Sequence, residues 1–499
     1  NTTYYFNENP FSTSFAYKDV NAVPDFEFGI SGGNSWNPGN GHMLGAVFAS
    51  SYGKGKSFLT GRDVVLKADG TILKAFDFNE FASTSAFSNL AGLTWRKGDN
   101  QLSWNIIYLN NTEDVLIDKN GFDGEGYDLF VRTMMYRDHR LFSSQLIGEH
   151  KVNKRISISW DAALSKAKSS EPDRRGVVFE ENEAINNEGT AYTHYSLFTL
   201  NQGETLRYFS NMLDSTLAAS VRFSYDFKND PNMHIKKKLN GGLQVLSKNR
   251  DFNSHVYFYN VDAISDVPAG VAQPENGILQ PDPNNIDVTR LINDQAFADS
   301  SISIKNNTQN RDSYDAAYNV AAAWLELNYS LTPKLLVNLG LRAELSEQTV
   351  VYFDTRPREG TISGLDFFPA VDAKYTVNDK SNLRMALSKT ITRAGFLEMA
   401  PFRYRPSYGS ATTFGNADIQ NADNYNADVK YELFPRPGEL FTFAAYGKML
   451  RSPIERISLN QGGGTEYTYR NAKRGQVFGL EMEFRKKLLS DLIMGVNAS

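Results

Sequence analysis

Apolar and polar residues alternate with a period of two along much of this chain. The clearest example is the stretch 424–487, which alternates in this way over 425–433 and again over 478–485. A period of two places every second side chain on one face of an extended strand. Each strand therefore has one apolar, aromatic face and one charged face. The turn sequence PRPG (435–438) follows the first of these strands.

The same alternation recurs upstream, and turn-forming residues separate the alternating segments. The segments ISISWDAALS (156–165) and LLVNLGLRAELS (335–346) are good examples. Clusters of Gly, Pro, Asn and Asp are expected where paired strands connect. They predict eight short turns, at 37–42, 97–100, 152–155, 228–232, 331–334, 378–381, 434–439 and 488–491. Eight turns predict roughly sixteen strands.

Long polar segments lie between these predicted hairpins, and they predict long loops. They fall at 58–84, 113–130, 169–205, 260–313, 354–364, 394–422 and 456–467. Short turns at one end and long loops at the other are typical of an outer-membrane barrel, with the turns periplasmic. Charges such as Arg222, Arg342 and Glu344 are costly in lipid, so their face must be wet or buried in protein. The pattern predicts an all-β fold, a transmembrane antiparallel β-barrel.

Composition supports a thin wall more than a thick soluble core. Of the 499 residues, 13% are aromatic, yet no apolar run approaches the length of a membrane helix. The absence of cysteine excludes disulfides and cysteine-based metal or catalytic sites, and the six histidines form no HExxH pair. The net charge of −5 argues against a nucleic-acid partner. We predict no cofactor and no catalytic residue.

Several longer motifs resemble one known family. Their order and spacing agree over about 150 residues, through GLRAE (340–344), TITR (390–393), GNADIQ (415–420), SPIERI (452–457) and YRNAKRGQVFGLE (469–481). Together they resemble the barrel of a TonB-dependent outer-membrane receptor of the type common in Bacteroidetes. Ala394 departs from the family, which usually has Pro there, and we expect no functional consequence.

The resemblance implies that residues 1–499 are part of a larger barrel of about 22 strands with long extracellular loops. It implies an N-terminal plug domain before Asn1 and the last barrel strands after Ser499. It also implies a location in the outer membrane and TonB-dependent uptake of a nutrient such as a glycan, peptide or metal chelate. The implied partners are the TonB–ExbB–ExbD complex acting through the plug, outer-membrane lipids and lipopolysaccharide, and a surface lipoprotein lid.

Three alternatives to active transport stay open at this point. A passive porin-like channel would have about sixteen strands and no plug. A barrel acting as a scaffold or secretion accessory would not transport. A soluble enzyme is a more distant alternative, since Ser, His and Asp never occur in the context of a nucleophile elbow.

Two loop segments are candidate binding sites. Arginines and aromatic residues alternate in FRYRPSY (402–408). Such pairs stack on sugars, nucleobases or aromatic ligands. The predicted substrate contacts are therefore Arg403, Tyr404, Arg405 and Tyr408, with loop packing or lipopolysaccharide contact as the alternatives.

The second candidate is the acidic stretch DKNGFDGEGYD (118–128). Oxygen-rich loops hold Ca²⁺, although this spacing does not match an EF-hand. The candidate ligands are Asp118, Asp123, Glu125 and Asp128, and a solvated loop is the alternative. The glycines at 462–464 lack the Lys-Ser/Thr of a phosphate-binding loop and predict an extracellular loop tip.

Overall fold

The computed structural model describes most of the chain. The described residues are 2–18, 20–21, 23–66, 70–124, 126–185, 189, 191–198, 205–227, 237–260, 292–353, 357–405, 412–461, 464–489 and 492–499. The helical elements in these ranges are short: α1 (Asp294–Ala298), α2 (Phe396–Met399) and a 3₁₀ helix (Asn310–Asp312). No helix in the described ranges is long and apolar enough to cross a membrane.

Almost all remaining regular structure is β-strand. The strands are β1 (Thr2–Tyr4), β2 (Phe26–Gly39), β3 (His42–Leu66), β4 (Ile72–Lys97), β5 (Asn100–Phe122), β6 (Asp128–Lys151), β7 (Ile156–Ile185), β8 (Ala191–Leu197), β9 (Leu206–Asp226), β10 (Lys237–Asn260), β11 (Ser303–Asn306), β12 (Tyr314–Thr332), β13 (Leu335–Phe353), β14 (Pro357–Asn378), β15 (Ser381–Thr392), β16 (Arg403–Tyr404), β17 (Thr412–Phe414), β18 (Ala422–Leu433), β19 (Leu440–Arg451), β20 (Ile454–Gln461), β21 (Gly464–Asn471), β22 (Arg474–Lys487) and β23 (Ile493–Ala498).

One sheet of nineteen strands forms the wall. Sixteen of its strands pair antiparallel with their neighbours in chain order, and they are β2 to β7, β9, β10, β12 to β15, β18, β19, β22 and β23. The short strands β1, β8 and β11 are additions to this wall. In the described residues, β2 pairs with β3 alone and β23 with β22 alone. The predicted all-β fold with roughly sixteen strands is confirmed, and the total of about 22 stays a prediction.

Six of the predicted turns join wall strands where the sequence placed them. The turn at 228–232 and part of the turn at 488–491 lie outside the described residues. Between β2 and β3, Asn40 and Gly41 both have positive φ, 52° and 74°. A type I′ turn needs positive φ at both central residues, and Asn-Gly is its preferred pair.

Five of the predicted long loops are wrong for much of their length, because strands continue through 58–84, 113–130, 169–205, 354–364 and 456–467. Most of the predicted loop 260–313 lies outside the described residues, and the described part of 394–422 contains little strand. In the predicted loop 58–84, for example, Phe58 of β3 pairs with Phe81 of β4. A barrel strand needs about 9–11 residues to cross the bilayer, yet β7 has 30. Beyond the bilayer both faces of a strand meet water, so apolar alternation fades while backbone pairing continues. Polar strand extensions therefore resemble loops in sequence.

The two faces of the wall differ as the alternation predicts. On β13, Leu339, Leu341 and Leu345 are 50%, 51% and 61% exposed, whereas Glu344 and Gln348 are 8% and 5% exposed. Arg342 of β13 donates to the Gln244 side chain of β10 at 2.9 Å, across the intervening strand β12. Contacts that skip a strand place the charged residues on the concave inner face. The apolar face is therefore the outer, lipid-facing surface.

Two segments fold onto the inner face near the loop ends of the strands. We call residues 2–18 the N-terminal segment, and the described residues 393–405 and 412–421 the inward segment. Phe15 of the first and Phe396 of the second are buried in two separate apolar clusters against the wall. The strands β16 and β17 of the inward segment form a small sheet with β21 and β20, in which β17 and β21 are parallel.

Candidate functional site

The candidate site lies on the inner face at the outer mouth, where β6, β7, β9 and β10 end in loops. An irregularity in β7 positions its side chains. Pairing with β6 shifts register between Met134 and Asp138, and pairing with β9 shifts between Glu171 and Arg174. The β7 segment is EPDRR (171–175), and Pro172 cannot donate to a strand ladder. Bulges re-aim side chains, and here three consecutive residues, 173 to 175, all contact groups on the inner face.

Arg174 joins the wall to the inward segment. Its guanidinium lies 4.3 Å from the ring centroid of Tyr208 and 5.2 Å from that of Tyr404. One of its nitrogens donates to the Tyr404 hydroxyl at 3.4 Å. Glu171 lies 3.3 Å from the Arg174 Nε and balances its charge. Arg174 and Tyr208 are both buried, so this contact packs the inward segment against the wall.

Among the described residues, Arg207 and Arg132 are the two largest fully buried side chains. Arg207 is bonded to Asp173 at 2.7 Å and to the Tyr259 hydroxyl at 2.8 Å. Arg132 donates twice to Asp118, at 2.7 Å each. A buried charge of this kind is stable only when paired, so both arginines are fixed parts of the wall.

The inward segment is held by the inner faces of β10 and β13. Gln348 donates to the Ala394 carbonyl at 2.6 Å, and Arg393 forms an ion pair with Glu344. Arg250 of β10 places its guanidinium 5.3 Å from the Phe396 ring. Asp214 of β9 in turn holds Arg250 through two bonds of 2.6 and 2.7 Å. The segment is thus attached to the wall by ionic, polar and cation–π contacts together.

Ala394, where the sequence departs from the family pattern, is buried. Its backbone N–H donates to the Asn421 side-chain oxygen at 3.1 Å. A proline at this position would have no N–H for that bond. The departure therefore supplies a contact that closes the inward segment on itself.

A polar cavity of about 790 Å³ lies where the loop end of β14 faces the inward segment. Its lining combines charged, hydroxyl and amide side chains, from Tyr352, Arg358, Glu359, Thr361, Asp418 and Gln420. Such a lining favours a hydrated, hydrogen-bonding ligand over an apolar one.

The predicted substrate residues are only partly brought together. Arg403 forms an ion pair with Glu466 and lies 4.8 Å from the Phe414 ring centroid. Tyr404 joins the Arg174 cluster, and Tyr408 lies outside the described residues. Arg405 is half-buried. Substrate contact by these four residues stays a prediction, although loop packing accounts for the partners of Arg403.

Two of the four candidate calcium ligands have other partners. Asp118 is paired with Arg132, and Asp123 accepts the backbone N–H of Tyr127 at 3.1 Å. Asp128 is exposed, and Glu125 lies outside the described residues. Over the described ranges, no three His, Asp or Glu side chains are arranged to hold a metal ion. Two of the predicted glycines at 462–464 likewise lie outside the described residues.

Sequence reasoning missed the arginines at 132, 174, 175 and 207. The signal for two of them, Arg174 and Arg175, was weak but present, because Pro172 and four charges interrupt an otherwise alternating strand in EPDRR (171–175). A proline inside a strand run marks an edge or a bulge. Arg132 and Arg207 carried no comparable signal.

This arrangement, an apolar outer face, a charged inner face and arginine-rich contacts at the outer mouth, defines a membrane β-barrel wall with a polar inner face. A family model for the outer membrane protein beta-barrel family matches residues 211–499, more than half of the chain. The chain belongs to this family, and its location is the outer membrane. No curated protein matches the sequence significantly.

Solved structures share the fold at low sequence identity. The match to the siderophore receptor PiuA from Acinetobacter baumannii covers 95% of this chain and 63% of the PiuA chain, with 12% identity and a TM-score of 0.50. The match to the ferric citrate transporter FecA in its unliganded form covers 93% of this chain and 57% of the FecA chain, with 9% identity and a TM-score of 0.50. This chain therefore spans less than two thirds of either solved chain.

Proposed function

We propose that the chain forms the wall of an active outer-membrane transporter, which takes up a nutrient such as a glycan, peptide or metal chelate. The observation that carries the proposal is the inner face at the outer mouth. Arg174, Tyr208 and Tyr404 pack together there, and the inward segment is fixed to the wall beside them. An inner face covered by a fixed segment favours selective uptake over free diffusion.

The resemblance to TonB-dependent receptors and the fold shared with solved outer-membrane receptors support energised uptake. In this proposal a plug domain and the remaining strands complete the barrel. The TonB–ExbB–ExbD complex acts on that plug, and a surface lipoprotein lid is a further partner. The wall binds and guides the ligand, contacts outer-membrane lipids and lipopolysaccharide on its apolar face, and performs no covalent chemistry.

The test is uptake by cells that lack the complete gene. Depletion of mixed glycans, peptides and metal chelates from the medium is compared between the parent, the deletion strain and the complemented strain. We expect one ligand class to be depleted only when the gene is present, and a protonophore should abolish that depletion.

The alternatives give different results in the same experiment. A passive channel would give gene-dependent uptake that persists with the protonophore. Unchanged uptake of every class would favour a scaffold or secretion accessory. Either result would contradict active transport.

A further inference from the structure

The N-terminal segment is bound to the inner wall like a ligand. Thr2–Tyr4 pairs with β11, and the Asn9 backbone N–H donates to Asp294 of α1 at 3.0 Å. From there the segment crosses the inner faces of β7, β9 and β10 as an irregular chain. Beyond Asn9, its contacts with the wall are therefore made by side chains of the wall and not by strand pairing.

Arg207 is the centre of this contact. Its guanidinium donates to the Thr13 carbonyl at 2.6 Å and also to the Thr13 hydroxyl. The same guanidinium lies 4.5 Å from the Phe11 ring centroid and 5.2 Å from that of Phe15. One buried arginine thus binds the main chain of the segment and stacks on two of its aromatic rings.

A second arginine binds the next carbonyl along the segment. Arg175 donates to the backbone carbonyl of Ser14, and Asp173 accepts the hydroxyl proton of Thr13. Two wall arginines therefore hold the carbonyls of consecutive residues, Thr13 and Ser14. Contacts to carbonyl oxygens are independent of side-chain identity, whereas the aromatic contacts select for sequence. This combination is how extended peptides are recognised.

The resident segment leaves part of the wall unused. The buried Oδ1 of Asp173 and the buried Nε of Arg175 make no hydrogen bond, although this Nε lies 3.9 Å from the other carboxylate oxygen of Asp173. Buried polar atoms are normally hydrogen-bonded, so each of the two has unused capacity for a better-fitting ligand.

We propose that Asp173, Arg175 and Arg207 form a binding site for an extended peptide with aromatic side chains, and that residues 9–17 are its resident occupant. The inference rests on the proposed function and deepens it by naming a peptide as the transported ligand. The segment competes as a tethered occupant at an effective concentration of roughly millimolar. A cargo peptide displaces it by engaging the unused polar atoms as well.

The test uses a fluorescent synthetic peptide, NPFSTSFAY, which copies residues 9–17. Its binding is measured by fluorescence anisotropy on the full chain in detergent. The variant Phe11→Ala with Phe15→Ala weakens the resident segment, and we expect it to bind the peptide at least tenfold more tightly than the wild type. Adding Arg207→Gln should abolish that gain. Arg222→Gln, on the same strand but outside the site, should leave it unchanged.

Two results would overturn the proposal. One is no binding to the double variant, and the other is equal binding after Arg207→Gln. If the double variant fails to fold, the wild type provides a second measurement. Peptide at several times the effective concentration should raise hydrogen exchange in residues 9–17, and an unchanged rate would overturn the proposal. Peptide binding without protonophore-sensitive uptake would contradict the proposed function alone, and energised uptake without peptide binding would contradict this inference alone.

Discussion

The inward segment offers a direct test of how the lumen is organised, through the substitution Glu344→Gln. Glu344 is 8% exposed, accepts from Arg342 Nε at 2.6 Å, and pairs with Arg393 of the inward segment. The glutamine keeps one acceptor oxygen but loses the negative charge. Both arginines then lack their carboxylate partner.

The size of the effect follows from burial. Breaking a buried ion pair costs about 3–5 kcal/mol. The side chains of Arg342 and Arg393 are 28% and 23% exposed, so water replaces part of the lost interaction. We therefore expect Glu344→Gln to lower the free energy of opening the inward segment by about 2 kcal/mol. This is below the range for a fully buried pair, because exposed pairs contribute little. Every 1.4 kcal/mol changes an equilibrium constant tenfold, so the equilibrium constant for opening of the inward segment should rise by roughly 30-fold.

The assay is hydrogen exchange measured by mass spectrometry on peptides that cover 393–405. The amides of Met399 and Ala400 are bonded within this segment in the native state and report its opening. The matched control is Glu347→Gln on the same strand, which is exposed and should leave exchange unchanged. Equal exchange in the wild type and Glu344→Gln would refute the anchoring role of this ion pair.

Three further predictions concern single contacts. Ala394→Pro removes the N–H that donates to Asn421 and should lower the free energy of unfolding by about 1–3 kcal/mol; an unchanged melting temperature would contradict this. Burial raises the pKa of Asp312, so its stabilising contribution is present at low pH and is lost as pH rises through the folded-state value. Asp312→Asn should therefore gain stability relative to the wild type between pH 4 and pH 7, and parallel melting curves at both pH values would contradict this. Asp315 lies directly opposite Asp251 on the outer face, so Asp315→Asn should stabilise by about 0.2–1 kcal/mol, whereas a loss of stability would count against charge repulsion.

The wall could be predicted from sequence because the bilayer imposes a strict pattern on it. On β13, the alternation of leucines with Arg342 and Glu344 predicted which side chains face lipid and which face the lumen. Short turns such as Asn40-Gly41 carry a local signal of their own, since the turn type demands those residues. Both signals arise within a few residues of the chain.

The contents of the lumen could not be predicted in this way. The contact between Thr13 and Arg207 joins residues 194 positions apart, and no local pattern encodes it. The strand extensions were missed for a different reason, because both of their faces are wet and their apolar alternation disappears. The register shift at 171–174 was visible only as a proline among charges.

The most direct test of the wall uses two neighbouring positions on β13. The chain has no cysteine, so Asn338→Cys and Leu339→Cys each introduce a single labelling site. In reconstituted bilayers, a spin label at position 339 should be relaxed mainly by oxygen, which concentrates in lipid. A label at position 338 should be relaxed mainly by a water-soluble nickel complex. Equal access of the nickel complex to both labels would contradict a membrane wall with a lipid-facing and a lumen-facing side.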